Sequence, residues 1–197
     1  RLYTYRRTRA HLHLDNKILL SWNAWTIISL ARAARILNSP RYMEAAVKAR
    51  NFISEKMTNE EDRLFVRYCA GEAAHAGQLN DYSVYALALF ELYRASFEIK
   101  YLEEAIFRAE QMIDLFEDKE NGGYYLTAHD AEALITRPKE TYDGAVPSGN
   151  AVAEEVLEEL AALTGEILFR EAADRQHRFM AGCVKEYPAA HCFSLMA

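Results

Sequence analysis

Three aspartates and one histidine, residue types that can transfer protons, stand beside apolar segments or a proline in this sequence. Asp15, Asp81 and Asp143 each come shortly before an apolar segment, and His191 comes shortly after Pro188. Two carboxylates facing each other across a pocket could hydrolyse a glycosidic bond, at a separation of ~5 Å for retention or ~6.5–9.5 Å for inversion. A histidine that titrates near neutrality could instead remove a proton beside a carbonyl group, as an epimerase or isomerase requires. These four residues are therefore the candidate catalytic residues.

Polar and aromatic residues adjacent to these four could bind a sugar-like small molecule. Amide and hydroxyl groups exchange hydrogen bonds with ligand hydroxyls, and aromatic rings offer flat surfaces on which a sugar ring can stack. The candidate ligand-binding residues are His13, Trp22, Asn23, Asn80, Tyr82, Tyr142, Ser148 and Asn150. The competing interpretations are core packing for Trp22, a packed or capping role for His191, and helix capping for Asp15, Asn16, Asn80, Asp81, Ser148 and Asn150.

The pair His11 and His13 alternates in a way that could bind a metal ion. Structural and catalytic zinc sites need at least three protein ligands, and no third ligand lies nearby in the sequence. We predict neither a metal nor a cofactor.

A gapless repeat predicts the helices that must position the candidate residues. An aromatic residue is followed by an alanine four positions later and an apolar residue eleven positions later, offsets that fall on one helical face. The three copies are Tyr42, Ala46 and Ile53; Tyr101, Ala105 and Met112; and Phe169, Ala173 and Met180. Apolar segments at 18–38, 82–98 and 150–164 precede the copies, and Ser39-Pro40 and Gly165 mark the joints. The pattern predicts three tandem αα-hairpins, and Pro188 predicts the start of a fourth inner helix.

Longer linkers separate the predicted hairpins. Residues 63–69 alternate like a β-strand, and residues 122–127 and 133–137 are expected to pair as a short β-hairpin. A repeat of this length with such linkers suits a ring of hairpins better than a tight stack. Because every hairpin returns to its starting side, all linkers must lie at one end of the array. We therefore expect the candidate residues to gather at that end, where helix N-termini favour hydroxyl-rich or anionic ligands.

Composition narrows the class of protein and its partners. The chain has 197 residues, 51% of them hydrophobic and 26% charged, with a net charge of −6 and no basic stripe, so we expect a globular domain that does not bind nucleic acid. The most apolar stretch is too short to span a bilayer, and no signal peptide opens the chain. Three scattered cysteines predict reduced thiols and a cytoplasmic location. The chain begins without Met and stops inside an apolar run, so residues 1–197 are interpreted as one domain that is a fragment of a longer array. Such a fragment would expose apolar helix faces, and we therefore expect it to self-associate.

Several motifs carry a resemblance to a known family. Three segments resemble the C-terminal domain of YyaL-type proteins, which include the spermatogenesis-associated thioredoxin-domain proteins. The segments are 13–33, Leu79-Asn80-Asp81-Tyr82, and 122–150 with its final Pro147-Ser148-Gly149-Asn150. The resemblance implies an all-α fold, a six-hairpin α/α toroid with short β-hairpin linkers, that follows a thioredoxin-like domain. Such a toroid is similar to those of N-acylglucosamine 2-epimerases and six-hairpin glycosidases, which bind sugars at the mouth of the ring. The family usually has Asp-Asp where this chain has Asp15-Asn16 and Asn80-Asp81, and an amide cannot act as a general acid.

Three functional hypotheses remain open from the sequence. The first is a sugar-active enzyme, and the second is a non-catalytic module that binds a sugar or a partner, with the thioredoxin-like domain as the first partner to consider. The third is a scaffold in which each aspartate only caps its own helix. An enzyme predicts that the aspartates converge on one cleft with at least one perturbed pKa. A scaffold predicts that each aspartate caps its own helix and faces water.

Overall fold

The structure is a computed structural model that describes residues 1–10, 14–132 and 135–196. Its helices are α1 (Leu2–Arg6), α2 (Leu20–Leu37), α3 (Pro40–Lys56), α4 (Leu79–Ser96), α5 (Ile99–Phe116), α6 (Gly149–Thr164) and α7 (Ile167–Glu186), and a short 3-10 turn spans Pro188–Ala190. Its strands are β1 (Ile18–Leu19), β2 (Phe65–Cys69) and β3 (Glu72–Ala76).

The described residues contain the three predicted αα-hairpins. They are α2 with α3, α4 with α5, and α6 with α7, and the inner helices α2, α4 and α6 pack side by side with α4 in the middle. Left-handed residues end each inner helix, namely Asn38, Phe97 and Gly165, and Pro40 opens α3 as predicted. Within the described part of the chain, no helix is both long enough and apolar enough to cross a membrane.

The repeated residues form the contacts between inner and outer helices. Tyr101 and Phe169 are almost wholly buried, and so are the alanines and the later apolar residues of the repeat. Only Tyr42, in the first copy, is exposed over about a third of its surface, 36%. Burial of each large apolar side chain contributes ~1.5–3 kcal/mol, so the repeat accounts for much of the packing between the helices of each pair.

A small antiparallel sheet joins the first linker to the start of α2. Strand β2 lies in the centre, with Ile18 of β1 opposite Tyr68 and Phe65 opposite Ala76 of β3. The predicted strand at 63–69 is therefore confirmed for its later part. Strand β3 follows a tight turn in which Ala70 and Gly71 both have positive φ.

The predicted β-hairpin in the second linker is wrong for the residues that the structure describes. Residues 122–132 and 135–137 form no strand; Ala133 and Leu134 lie outside the described residues. The reason is that the side-chain amide of Asn150 accepts from the backbone N–H of Tyr124 and donates to its carbonyl, at 2.8 and 2.9 Å, so a side chain replaces the strand partner.

The segment after α7 also differs from its expected form. Pro188 opens the 3-10 turn rather than an α-helix, and the described residues beyond it, up to residue 196, continue as turns. Phe193 of this segment packs edge-on against Trp25 of α2, with ring centroids 6.0 Å apart. The chain after α7 therefore folds back onto the inner helices.

Candidate functional site

Asp81 lies where α2 and α4 begin. Its carboxylate accepts a hydrogen bond from the backbone N–H of Gln78 at 2.9 Å, as part of a capping box, and accepts further bonds from the backbone and hydroxyl of Ser21 in the first turn of α2. One side chain thus caps two inner helices. Asp81 is only 3% exposed, and this burial raises its pKa to about 6, against the lowering effect of the bonds from Gln78 and Ser21.

Asn80 lies where α4 meets the start of α6. Its side-chain oxygen lies against Gly149, where a Cβ atom would come within 2.1 Å of Asn80 Oδ1. Among the described residues this buried oxygen has no hydrogen-bond partner. The three inner helices therefore begin at one end of the molecule and contact each other through Ser21, Asp81, Asn80 and Gly149.

Asp143 joins the second linker to the segment after α7. Its two carboxylate oxygens accept from the backbone N–H groups of Ser148 and Phe193, at 2.9 and 2.8 Å, and its own N–H donates to the carbonyl of Ala190. Ser148 in turn caps α6, because its hydroxyl accepts from the N–H of Ala151. Both oxygens of Asp143 are therefore engaged by the backbone.

His191 is buried beside Asp143, with 6% of its surface exposed. Its Nδ1 lies 2.9 Å from the carbonyl oxygen of Tyr187, and its Nε2 lies 3.2 Å from the hydroxyl of Thr141. Because a carbonyl oxygen can only accept, Nδ1 carries a proton, and in the neutral ring Nε2 accepts from Thr141. The lone pair that a catalytic base would use is therefore already hydrogen-bonded.

Asn150 and Tyr82 are buried in contacts within the fold. Besides its two bonds to Tyr124, Asn150 donates to the carbonyl of Glu140 at 2.8 Å and is contacted by the side chain of Gln176. The hydroxyl of Tyr82 accepts from the N–H of Leu64 at 3.1 Å and from Arg63 at 3.2 Å. The ring of Tyr82 packs on Phe116, so neither of its faces is a free stacking surface.

The remaining candidate residues lie nearer to solvent. Asp15 is exposed and pairs with Lys17, and the half-buried amide of Asn23 donates to the carbonyl of Leu19, the residue just before its own helix. Trp22 and Tyr142 are each 65% exposed. Trp22 lines a groove of about 490 Å³ between α2 and α3. His13, with its neighbour His11, lies outside the described residues.

A cleft between the two linkers contains polar residues that sequence reasoning missed. This linker cleft has a volume of about 280 Å³ and is lined by Asn59, Glu61, Arg63, Leu64, Phe65, Ala76, Gly77, Gln78, Thr127, Ala128, Asp130 and Ala131. A two-bond ion pair between Arg63 and Asp130, at 2.7 and 3.2 Å, closes one side. The sequence placed both linkers at one end but contained no signal that residues 59–65 and 127–131 face each other. Gln78 belongs to the cleft and also binds Asp81, so the cleft adjoins the start of α4.

Comparison with known proteins identifies relatives over most of the chain. No family model matches the sequence. Human spermatogenesis-associated protein 20 is 31% identical over 175 residues, which are 84% of this chain and 22% of the human protein. The chain is homologous to a segment of spermatogenesis-associated protein 20. It spans about a fifth of the length of that relative, and the resemblance derived from the sequence motifs is confirmed.

Solved structures show which fold the helices belong to. Cellobiose 2-epimerase from Spirochaeta thermophila matches with a TM-score of 0.66 and 20% identity, over 82% of this chain and 42% of the epimerase. An α-1,6-mannanase from Salegentibacter matches with a TM-score of 0.66 and 18% identity, over 84% of this chain and 47% of the mannanase. That mannanase is an inactive variant with two consecutive aspartates replaced by asparagine, in complex with α-1,6-mannotriose. The chain therefore has the α/α-toroid fold that its repeat predicted, and it spans less than half of either enzyme.

Proposed function

We propose that this chain provides a carbohydrate-binding site of an α/α toroid, located where α2, α4 and α6 begin. The observation that carries the proposal is Asp81, a buried carboxyl group whose pKa is raised to about 6 at the junction of the inner helices. Gln78 connects Asp81 to the linker cleft, which is of the size of a monosaccharide. The sugar-active enzymes with the same fold support a carbohydrate as the ligand.

Proton transfer fits this site better than hydrolysis by a pair of carboxylates. Asp81 would titrate near neutrality, as a residue that both takes and returns a proton must. Hydrolysis would need a second carboxylate that faces the same pocket. Asp143 binds two backbone N–H groups, and Asp15 is exposed and paired with Lys17. The proposed chemistry is therefore that of an epimerase or isomerase, with Asp81 as the proton-transfer group.

The Asn80-Asp81 pair supports a site that binds sugar more effectively than it turns sugar over. In the mannanase neighbour, replacement of two consecutive aspartates by asparagine accompanies loss of activity while a trisaccharide remains bound. This chain has one carboxylate and one amide in its own pair. The amide oxygen of Asn80 is unpartnered among the described residues and is available as an acceptor if the start of α6 shifts to admit a ligand hydroxyl.

A thermal-shift screen of the full-length protein against mono- and disaccharides, including N-acyl amino sugars, tests the proposal. A ligand at a hundred times its Kd should stabilise the fold by ~2.7 kcal/mol. Glu61→Ala removes an exposed carboxylate from the linker cleft, whereas the control Glu60→Ala removes its exposed neighbour, which does not line the cleft. We expect a sugar-specific shift that Glu61→Ala reduces and Glu60→Ala leaves intact. An absence of any shift, or equal shifts in both variants, would contradict the proposal.

A second candidate function is a partner-binding module that serves a thioredoxin-like domain. The favouring observation is that Asp143, Ser148, Asn150 and His191 are all engaged within the fold, while Trp22 and Tyr142 are exposed. Exposed aromatic side chains are enriched in the energetic centres of protein interfaces. Titration of the separate thioredoxin-like domain should then give an affinity that falls at least tenfold with Trp22→Ala. Unchanged affinity in that variant would show that the surface around Trp22 does not bind the thioredoxin-like domain.

A further inference from the structure

A basic pocket lies on the outer side of the molecule, between the turn that follows α5 and the C-terminal half of α7. The volume of this basic pocket is about 360 Å³. It is lined by Lys119, Glu120, Asn121, Gly122, Arg175, Arg178 and Phe179. None of these residues is a sequence-derived candidate, and none lines the linker cleft. It is therefore a separate feature of the surface.

The lining of this pocket carries an excess of positive charge. Three cations and one carboxylate line it, in a chain whose net charge is −6. Arg175 is paired through its Nε with the buried Glu117 at 2.7 Å. Among the described residues, neither Lys119 nor Arg178 has a carboxylate partner; Arg178 donates only to the backbone carbonyl of Asp174. Within the lining itself the three cations and Glu120 leave a net charge of +2, while Glu117 and Glu171 act on Arg175 from outside the lining.

The pocket is also preformed, because the turn beneath it is held from several sides. Asp118 accepts from the backbone N–H groups of Glu120 and Asn121 and from Lys139, at 3.0, 3.1 and 2.7 Å, and the bond from Lys139 holds the pKa of Asp118 well below its usual range. The turn then packs closely on α7, since a Cβ atom at Gly123 would lie 2.5 Å from the ring of Phe179. The cations therefore face a fixed wall, and a ligand need not order the turn in order to bind.

We propose that the basic pocket binds a phosphate-type oxyanion, either free phosphate or the phosphate group of a small phosphorylated molecule. Guanidinium groups match the oxygens of phosphate in two-bond geometry, and a lysine ammonium adds a point charge. The volume admits a phosphate together with a small organic part. The backbone N–H groups of Glu120 and Asn121 are already bound to Asp118, so the side chains of Lys119, Arg175 and Arg178 hold the anion.

Calorimetric titration of the full-length protein with inorganic phosphate at low ionic strength tests this site. The double variant Lys119→Gln/Arg178→Gln removes the two cations that have no carboxylate partner, and both residues are exposed, so the fold should be unaffected. The matched control is Lys185→Gln, an exposed cation on α7 outside the pocket. We expect at least tenfold weaker phosphate binding in the double variant, no change in the control, and tighter binding in Glu120→Gln. Equal affinity in the double variant and the control, or no phosphate binding at all, would overturn the site.

The source of the phosphate is distinguished by comparing inorganic phosphate, glucose and glucose 6-phosphate. Tightest binding of inorganic phosphate indicates the free ion, whereas glucose 6-phosphate binding more tightly than phosphate indicates a phosphorylated small molecule. If glucose binds as tightly as its phosphate and Lys119→Gln/Arg178→Gln has no effect, the anion site is overturned while the proposed carbohydrate site stands. If the protein binds phosphate but no sugar, the proposed carbohydrate site is overturned while the anion site stands. The two proposals therefore fail separately.

Discussion

At the scale of single residues, the candidate side chains are distinguished by what already binds them. Asp143 and His191 have the chemistry expected of catalytic groups, but their polar atoms are hydrogen-bonded to Ser148, Phe193, Tyr187 and Thr141. Asp81 also makes structural bonds, yet burial raises its pKa, and perturbed pKa values cluster at functional sites. The residue-scale evidence therefore favours Asp81 over the other three catalytic candidates.

The raised pKa of Asp81 predicts a particular dependence of stability on pH. Because the native state holds this proton more tightly than the unfolded chain, Asp81 stabilises the fold most at low pH, and this contribution is lost as pH rises through the folded pKa of about 6. Asp81→Asn keeps an acceptor for Gln78 but does not titrate. Between pH 4 and 7 the free energy of unfolding of the parent protein should fall relative to the variant by on the order of 3 kcal/mol. Urea denaturation at several pH values measures this, and parallel pH profiles would refute it.

Gly149 should tolerate no side chain, because a Cβ atom there would lie 2.1 Å from Asn80 Oδ1 and 2.9 Å from the side chain of Leu79. We expect Gly149→Ala to destabilise the fold by ~1–3 kcal/mol through overpacking. The matched control is Gly182→Ala in α7, where a Cβ atom meets nothing within 4 Å. That change should stabilise the helix by ~0.5–1 kcal/mol. Denaturant unfolding of both variants gives the two signs, and equal effects would show that the Asn80 contact does not determine the start of α6.

At the scale of elements, single side chains join helices that are distant in sequence. Arg32 of α2 reaches Glu91 of α4 and Glu155 of α6, at 3.1 and 3.2 Å, so one guanidinium connects all three inner helices. Asn150, at the start of α6, fastens the turn at Tyr124 and contacts Gln176 of α7. The Asn150 bonds explain how the irregular second linker remains in place without a ladder of strands.

Asn150→Ala should therefore loosen the second linker as well as destabilise the fold. It leaves the buried N–H and carbonyl of Tyr124 without partners, and we expect a loss of ~2–4 kcal/mol. The exposed Asn51, which accepts a bond from its neighbour Arg50, serves as the control in Asn51→Ala. Denaturant unfolding measures the stability, and hydrogen exchange at the Tyr124 amide reports the linker. Unchanged exchange at that amide would show that the side-chain bonds are dispensable.

At the scale of the whole molecule, the three hairpins form an arc in which only the middle inner helix has a neighbour on both sides. From Asp81 to Leu92 every residue of α4 is buried. Helix α2 instead exposes Trp22, Ile36 and Leu37, and a groove of about 490 Å³ lies between α2 and α3. This chain matches less than half of the length of the two solved enzymes. The exposed apolar edge of α2 is a surface that another helix can cover.

We predict that this chain, studied alone, self-associates through the edge of α2. Large apolar side chains exposed on a helix that has no inner-helix neighbour on one side commonly mark an interaction surface. Sedimentation velocity over a range of concentrations should show a species larger than the monomer, and Trp22→Glu should shift the equilibrium towards the monomer. The control is Tyr142→Glu, which charges an equally exposed aromatic residue in the second linker. A monodisperse monomer at high concentration would contradict the prediction.

The sequence by itself determined the six helices α2 to α7, their pairing into hairpins and the end of the molecule at which the polar linkers lie. These features follow from local rules: the spacing of Tyr101, Ala105 and Met112 on one helical face and the return of each hairpin to its starting side. Only the tertiary structure decided which polar side chains are free. Ser148 caps its own helix, Asn150 takes the place of a strand partner for Tyr124, and Asp81 of α4 caps the neighbouring helix α2. The physical reason is that the pKa and the hydrogen bonds of a side chain depend on atoms that packing brings near it. These atoms belong to residues that are distant in the sequence, so the local sequence does not indicate the contact.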